Sequence, residues 1–190
     1  MAQALHRVHY TRAEYISFER SSNVKHEYLD GVIYAMAGGT PDHAAIAANV
    51  IAALGLALGE RPLRVFTSDL RVRVAETGLE TYPDVTVVAL PMEVDATDRN
   101  VVTNPLLLVE VTSPSTEEYD RGEKLGHYQR IPSLREIVVV AHGERLVDVV
   151  RRGADNSWTT ESAGAGSQVT LASLGSVLAI DEVYRGVIEG

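Results

Sequence analysis

Two acids set at the ends of apolar runs constrain this chain more than any other feature. Asp84 opens the run Val85-Thr86-Val87-Val88-Ala89, and Glu110 closes Leu106-Leu107-Leu108-Val109. The β-branched content, bounded by Pro83, Pro91 and Asn104-Pro105, predicts two buried strands. A carboxylate in such a strand is costly to desolvate unless it finds a hydrogen-bonded partner, shares a proton or meets a cation. If the strands are neighbours in one sheet, the two carboxylates converge near its edge, where a hard divalent cation binds both through oxygen. Magnesium suits such a site better than zinc, because the chain has no Cys and no His pair at ligand spacing.

A third group follows at Lys124. Beyond the bend Thr112-Ser113-Pro114-Ser115, Ser115 with Glu118 makes a capping-box pattern that predicts a helix over about 116–129. On it Asp120, Lys124 and Tyr128 share a face at i, i+4 spacing. Of the 17 basic residues only Lys25 and Lys124 are lysine. An ammonium is a compact point charge of adjustable pKa, suited to orienting a water or offsetting charge on a phosphoryl group.

The arrangement resembles the PD-(D/E)xK nuclease superfamily, and within it the Uma-type restriction endonuclease family. The likeness spans about residues 10–152. It is carried by Glu27-Tyr28-Leu29-Asp30-Gly31, Gly38-Gly39-Thr40-Pro41-Asp42-His43, Ser68-Asp69-Leu70-Arg71-Val72, Tyr82-Pro83-Asp84 and Val109-Glu110-Val111-Thr112-Ser113-Pro114-Ser115. The resemblance implies an α/β restriction-endonuclease-like core (αβββαβ) with a mixed central sheet, an N-terminal hairpin and a C-terminal extension. It puts Asp84 and Glu110 in the metal-binding positions, with the Val111 backbone carbonyl as a further ligand. Thr112 stands where the superfamily places its lysine, so that role passes to Lys124 on the following helix. The implied reaction is hydrolysis of DNA phosphodiester bonds with Mg2+, for which Mn2+ can substitute, by a homodimer. Asp69, Glu27 and His43 are accessory candidates, and Arg71, Arg73, Arg121 and Arg130 are candidate contacts to the DNA backbone.

Composition bounds this reading. At 190 residues and 45% hydrophobic content the chain can bury one domain's core, about 41–152, with an extension over 153–190. No apolar run approaches membrane-spanning length and no signal-peptide pattern opens the chain, so the expectation is a cytoplasmic protein without a membrane partner. The absence of Cys excludes disulfides, thiolate catalysis and cysteine-ligated zinc. A net charge of -9 opposes broad adhesion to nucleic acid, so DNA binding is expected to be weak or transient unless the four arginines gather at the site or magnesium masks the acids.

Along the chain, Thr11 with Glu14 predicts a short helix ending near residues 20–23, and residues 24–36 read as a hairpin turning at Asp30-Gly31. Thr40 and Pro41 start a long Ala-rich helix with Ile46, Val50, Leu54 and Leu58 on one stripe. Residues 65–74 read as one strand, residues 91–104 as an acidic surface loop or flap, and 136–141 as a strand reached from the Glu110 strand by a parallel crossover. A hairpin to 146–152, another around Trp158 and a short docking helix complete the chain.

Each candidate has a plainer alternative. Asp84 can cap a turn after Pro83, Glu110 can pair with a core arginine such as Arg71, and Lys124 can pair with Asp120. Asp69 can be the partner of Arg71 or Arg73, Glu27 an exposed strand residue, and His43 a first-turn residue with a local structural role. Two other functions stay open: a catalytically silent binding or assembly module on the same fold, and a metal-dependent hydrolase of small phosphoesters.

Overall fold

The structure, a computed structural model, describes residues 9–36, 38–113 and 117–187, with Glu118 described through its backbone alone. Local signals set the first elements. α1 (Arg12–Ser21) starts at Thr11, whose hydroxyl accepts the Glu14 N–H while the Glu14 carboxylate accepts the Thr11 N–H, the reciprocal capping box. β1 (His26–Leu29) and β2 (Val32–Ala35) form the expected hairpin, with Asp30 and Gly31 at φ 48° and 78°. α2 (Pro41–Leu58) is capped by Thr40 and buries Ile46, Val50, Leu54 and Leu58. By length and composition α2 is apolar enough to cross a membrane, which corrects the expectation that no run approaches that length. Its buried stripe packs on the sheet described next.

The strand expected over 65–74 divides at Ser68-Asp69 into β3 (Leu63–Thr67) and β4 (Arg71–Arg73), and the two halves join different sheets. The Leu70 N–H donates to the Thr67 carbonyl at 3.1 Å and closes the turn between them. β5 (Glu80–Thr81), β6 (Val85–Ala89), β7 (Val101–Val102) and β8 (Pro105–Val111) follow. The helix expected over 116–129 is two pieces, α3 (Glu117–Arg121) and α4 (Glu123–Tyr128), broken at Gly122. Glycine tolerates the non-helical φ of -113° and ψ of -96° there. The capping pair Ser115 and Glu118 lies outside the described side chains. β9 (Glu136–Val140), β10 (Leu146–Arg152), β11 (Trp158–Gly164), β12 (Gln168–Leu171), β13 (Ser176–Ala179) and α5 (Ile180–Val183) complete the chain.

The larger sheet has the order β11-β10-β9-β8-β6-β3. It is mixed: β8 and β9 run parallel, joined across α3 and α4, and the other neighbours are antiparallel. The order α2, β3, β6, β8, α3-α4, β9 is the expected αβββαβ core. A five-stranded sheet, β2-β1-β5-β4-β7, extends the N-terminal hairpin well beyond two strands.

Period-two alternation divides the apolar side chains of the larger sheet between two cores. Val85, Val87, Leu107, Val109 and Val111 face α2 and the C-terminal extension. Val88, Leu108, Ile137 and Val139 face Tyr128, Ile131 and Leu134, together with Val72, Val74 and Leu79 of the second sheet. Glu110 shares the parity of Leu108, so it points to the second side, beneath α4.

The connection over 91–104 is not simply a surface loop. It contains β7, and its Asp95 and Asp98 are buried. They meet Arg12, Arg71 and Arg73, which also surround the fully buried Glu80. Burying these arginines under the second sheet requires carboxylate partners, and the acidic segment supplies them.

Candidate functional site

The two acids meet because their strands are neighbours. β6 pairs with β8 in a register that sets Val85 opposite Val109. Asp84, one residue before β6, therefore lies at the end where β8 finishes with Glu110 and Val111. Its Oδ2 accepts the Val111 backbone N–H at 2.8 Å, which holds the Asp84 carboxylate beside Glu110. Turn-capping by Asp84 is thus replaced by a contact across the sheet.

Glu110 is buried, and its two oxygens face different donors. Oε1 accepts the Tyr128 hydroxyl, and Oε2 lies 3.1 Å from Lys124 Nζ. Burial pushes the Glu110 carboxyl up to about 8; Lys124 and the Tyr128 hydrogen bond oppose that rise, and the charges of Asp84 and Asp120 add to it. The alternative in which Arg71 neutralises Glu110 does not hold, because Arg71 belongs to the interior network with Glu80 and Asp98.

Lys124 is also buried, 4% exposed, and sits among three carboxylates. Its ammonium lies 3.1 Å from Glu110, 3.3 Å from Glu27 Oε1 and 3.5 Å from Asp120 Oδ1. Burial works against the charge, but Glu110, Tyr128, Glu27 and Asp120 outweigh it and raise the Lys124 pKa well above the ordinary lysine value. The amine is therefore a fixed cation at neutral pH, fitted to holding a charge or a water rather than to taking a proton. The i, i+4 pairing with Asp120 exists, yet it is buried and part of a larger cluster.

Glu27 reaches this cluster from β1 and also accepts the Thr81 hydroxyl. It is a member of the site rather than an exposed strand residue. His43, in the first turn of α2, places Nε2 3.3 Å from Asp84 Oδ2, and Asp84 is the main cause of its raised pKa. The histidine thus joins the site through Asp84. Asp69 does not join it: 83% exposed, it pairs with Lys25 at 2.7 Å.

The four arginines expected along a DNA backbone are each engaged by carboxylates. Arg71 and Arg73 belong to the interior network, Arg121 pairs with Glu117 and Asp148, and Arg130 lies 3.6 Å from Glu76 on the surface. They do not gather into a free basic face, so the objection from net charge is not met by these side chains.

Two positioning residues have a signal in the sequence that spacing alone did not decode. Tyr128 and Asp120 share the Lys124 face at i, i+4, and the structure gives each a partner there: Tyr128 donates to Glu110, and Asp120 accepts from Lys124. Nothing in the sequence announces that Glu19 accepts from the Tyr82 hydroxyl at 2.7 Å while its other oxygen meets His26 Nδ1 at 2.9 Å, bracing the strand entry to Asp84.

The donor set fits a hard divalent cation that keeps part of its water. Asp84 and Glu110 supply carboxylate oxygen, and the Val111 backbone, whose N–H meets Asp84, is next to Glu110 in the chain. Glu110 is destabilised as an anion by burial first and then by the charges of Asp84 and Asp120, and a bound cation offsets both. Among the described residues, no three His, Asp or Glu side chains form a ready-made metal cage.

Comparison with known proteins bears on this geometry. The model of a family described as "Putative restriction endonuclease", Uma2, matches residues 12–181. Two proteins of Synechocystis sp. (strain ATCC 27184 / PCC 6803 / Kazusa) are similar over nearly their whole lengths. The protein slr1290 is 35% identical over 174 residues, covering 92% of this chain and 90% of its own. The protein sll1609 is 32% identical over 163 residues, covering 85% and 92% respectively. In fold, the chain is similar to the crystal structure of a putative nuclease belonging to DUF820 from Anabaena variabilis ATCC 29413. The TM-score is 0.76 at 18% identity, over 93% of this chain and 98% of that one.

Proposed function

The chain belongs to the Uma2 family, described as "Putative restriction endonuclease", and from that premise we infer that it is a Mg2+-dependent endonuclease hydrolysing phosphodiester bonds in DNA. One observation carries the reading. The hydrogen bond from the Val111 N–H to Asp84 at 2.8 Å fastens one acid beside another, Glu110, whose second oxygen lies 3.1 Å from a buried lysine.

Asp84, Glu110 and the Val111 carbonyl are the residues that would hold the cation. When bound, a divalent ion polarises a phosphoryl oxygen and makes a coordinated water more acidic. This chain's own groups do the rest. Lys124 offsets negative charge developing on the phosphate and orients the attacking water. Tyr128 keeps the Glu110 carboxylate turned toward the site, and Glu27 and Asp120 keep the Lys124 ammonium in place. His43, held by Asp84, presents a ring N–H donor at the edge of the same carboxylate.

The test is incubation of supercoiled plasmid with Mg2+ or Mn2+. The wild type is expected to give nicked or linear product, and Asp84→Asn, Glu110→Gln and Lys124→Met to give none. Isothermal titration with Mn2+ in the absence of DNA is expected to show binding that the two acid variants lose. No metal binding and no cleavage by the wild type would defeat the reading and favour the silent module.

The net charge of -9 favours one competing reading, a metal-dependent hydrolase of small phosphoesters. Turnover of a nitrophenyl phosphodiester with an intact plasmid would select it. A cytoplasmic homodimer, in which a twofold axis suits two antiparallel strands, completes the proposal. Light scattering on the purified chain tests the dimer.

A further inference from the structure

Arg20 and Arg99 lie outside the four arginines expected along a DNA backbone. They border a cleft of about 430 Å³ between α1 and the segments around β4 and β7, lined also by Arg71, Tyr82 and Asn100, with acids at Glu19 and Asp69. The acids are already committed. Glu19 is held by Tyr82 and His26, and Asp69 by Lys25. Arg99 is exposed and has no ion pair among the described residues, and Arg20 is 58% exposed with only Asp98 beside it at 3.2 Å. Behind them, Arg71 is 3% exposed and is held by Glu80 and Asp98. Two solvent-facing guanidinium groups beside an exposed carboxamide match an oxyanion that accepts several N–H bonds at once.

The cleft adjoins the acidic site along the chain. Tyr82 lines it two residues before Asp84, and Lys25, whose ammonium lies 5.7 Å from the Tyr82 ring centre, stands two residues before Glu27. Two residues of extended chain cover about 7 Å. Successive phosphates along one strand lie about that far apart, so the span is of the order of a single nucleotide step.

We propose that this cleft is a phosphate subsite for the nucleic-acid strand, holding the phosphate about one nucleotide from the bond positioned at Asp84 and Glu110. The inference rests on the nuclease reading for its substrate. Arg99 and Arg20 make the direct contacts, and Asn100 adds a neutral donor. This explains how a chain of net charge -9 can grip DNA: through a local patch rather than a basic face.

Fluorescence anisotropy of a labelled oligonucleotide in EDTA tests the subsite without requiring catalysis. The wild type is expected to bind. Arg99→Glu and Arg20→Glu should each weaken binding about tenfold or more, and neutralising Arg99 should lower the salt slope by about one unit. Arg64→Glu, the same charge change on exposed β3, serves as control and should have a much smaller effect. Equal losses in all three variants, no binding by the wild type, or inorganic phosphate competing as well as the oligonucleotide would each overturn the subsite. The two readings separate cleanly. Oligonucleotide binding that depends on Arg99, without plasmid cleavage by the wild type, keeps the cleft and sinks the nuclease. Plasmid cleavage with KM unchanged in Arg99→Glu sinks the cleft and keeps the nuclease.

Discussion

Lys124 Nζ lies 3.1 Å from Glu110 Oε2, and both groups are shut away from water, 4% exposed each. Neither charge has a solvent alternative, so each depends on the other and on the ring of donors and acids around the pair. Removing one partner strands the other, at a typical cost of about 3–5 kcal/mol. Lys124→Met should therefore lower the stability measured by urea unfolding by that order above about pH 8, where the Glu110 carboxyl is ionised. Adding Glu110→Gln should restore part of the loss, because the amide carries no charge to strand. A double variant no more stable than Lys124→Met would show that the two groups are not coupled.

The pH dependence of stability follows from the same burial. The folded Glu110 carboxyl is held up at about 8, above its ordinary 4.5, so between those values the folded chain binds more of that proton than the unfolded chain. The contribution is full below about pH 4.5 and is lost as pH rises through about 8. The difference between wild type and Glu110→Gln, followed by urea unfolding from pH 5 to 9, should fall steadily across that window. Divalent-metal affinity should rise over the same range, since the ligand must give up its proton. Titration calorimetry at several pH values checks this second trend.

Tyr128→Phe keeps the ring in its core position and removes one donor from Glu110. A hydrogen bond to a charged acceptor contributes about 1.5–3 kcal/mol. Its loss should raise the Glu110 pKa further and move the acidic limb of any activity profile to higher pH. An unchanged profile with merely lower activity would assign Tyr128 to packing alone.

Arg71 offers the opposite case, a residue whose motif suggested DNA contact and whose position is interior. Its guanidinium meets Glu80 and Asp98 and lies 5.2 Å from the Tyr15 ring centre. Arg71→Met should cost about 3–5 kcal/mol by leaving buried carboxylates uncompensated. Thermal unfolding reads that loss, and a surface phosphate contact would leave stability nearly unchanged.

Thr40→Ala removes the hydroxyl that accepts the His43 N–H at 3.2 Å and starts α2. The expected cost is about 1 kcal/mol, visible as a lower urea midpoint. Because His43 is one turn of chain from this cap and meets Asp84, metal affinity should fall modestly in the same variant.

Several of these features are readable before folding because they depend on neighbours along the chain. The Thr11-Glu14 box, the Asp30-Gly31 turn, the Thr40-Pro41 start and the apolar runs beginning at Asp84 and ending at Glu110 each carry their own physical signal. Where two elements must choose partners, the signals thin out. Residues 65–74 read as one strand, yet the chain breaks at Ser68-Asp69 because its two halves serve different sheets. Gly122 sits inside a helical pattern whose period gives no hint of the break.

The sequence by itself determined the alternating strands, the caps, the turns and the presence of two acids and one lysine in matched surroundings, since propensity and periodicity act over a few residues. Only the tertiary structure decided that Glu27 turns inward to Lys124, that Asp69 turns outward to Lys25, and that Arg71 neutralises Glu80 and Asp98 instead of Glu110. Such choices rest on desolvation and charge pairing between residues dozens of positions apart. Those energies depend on distance and burial, and both exist only once the sheets have packed.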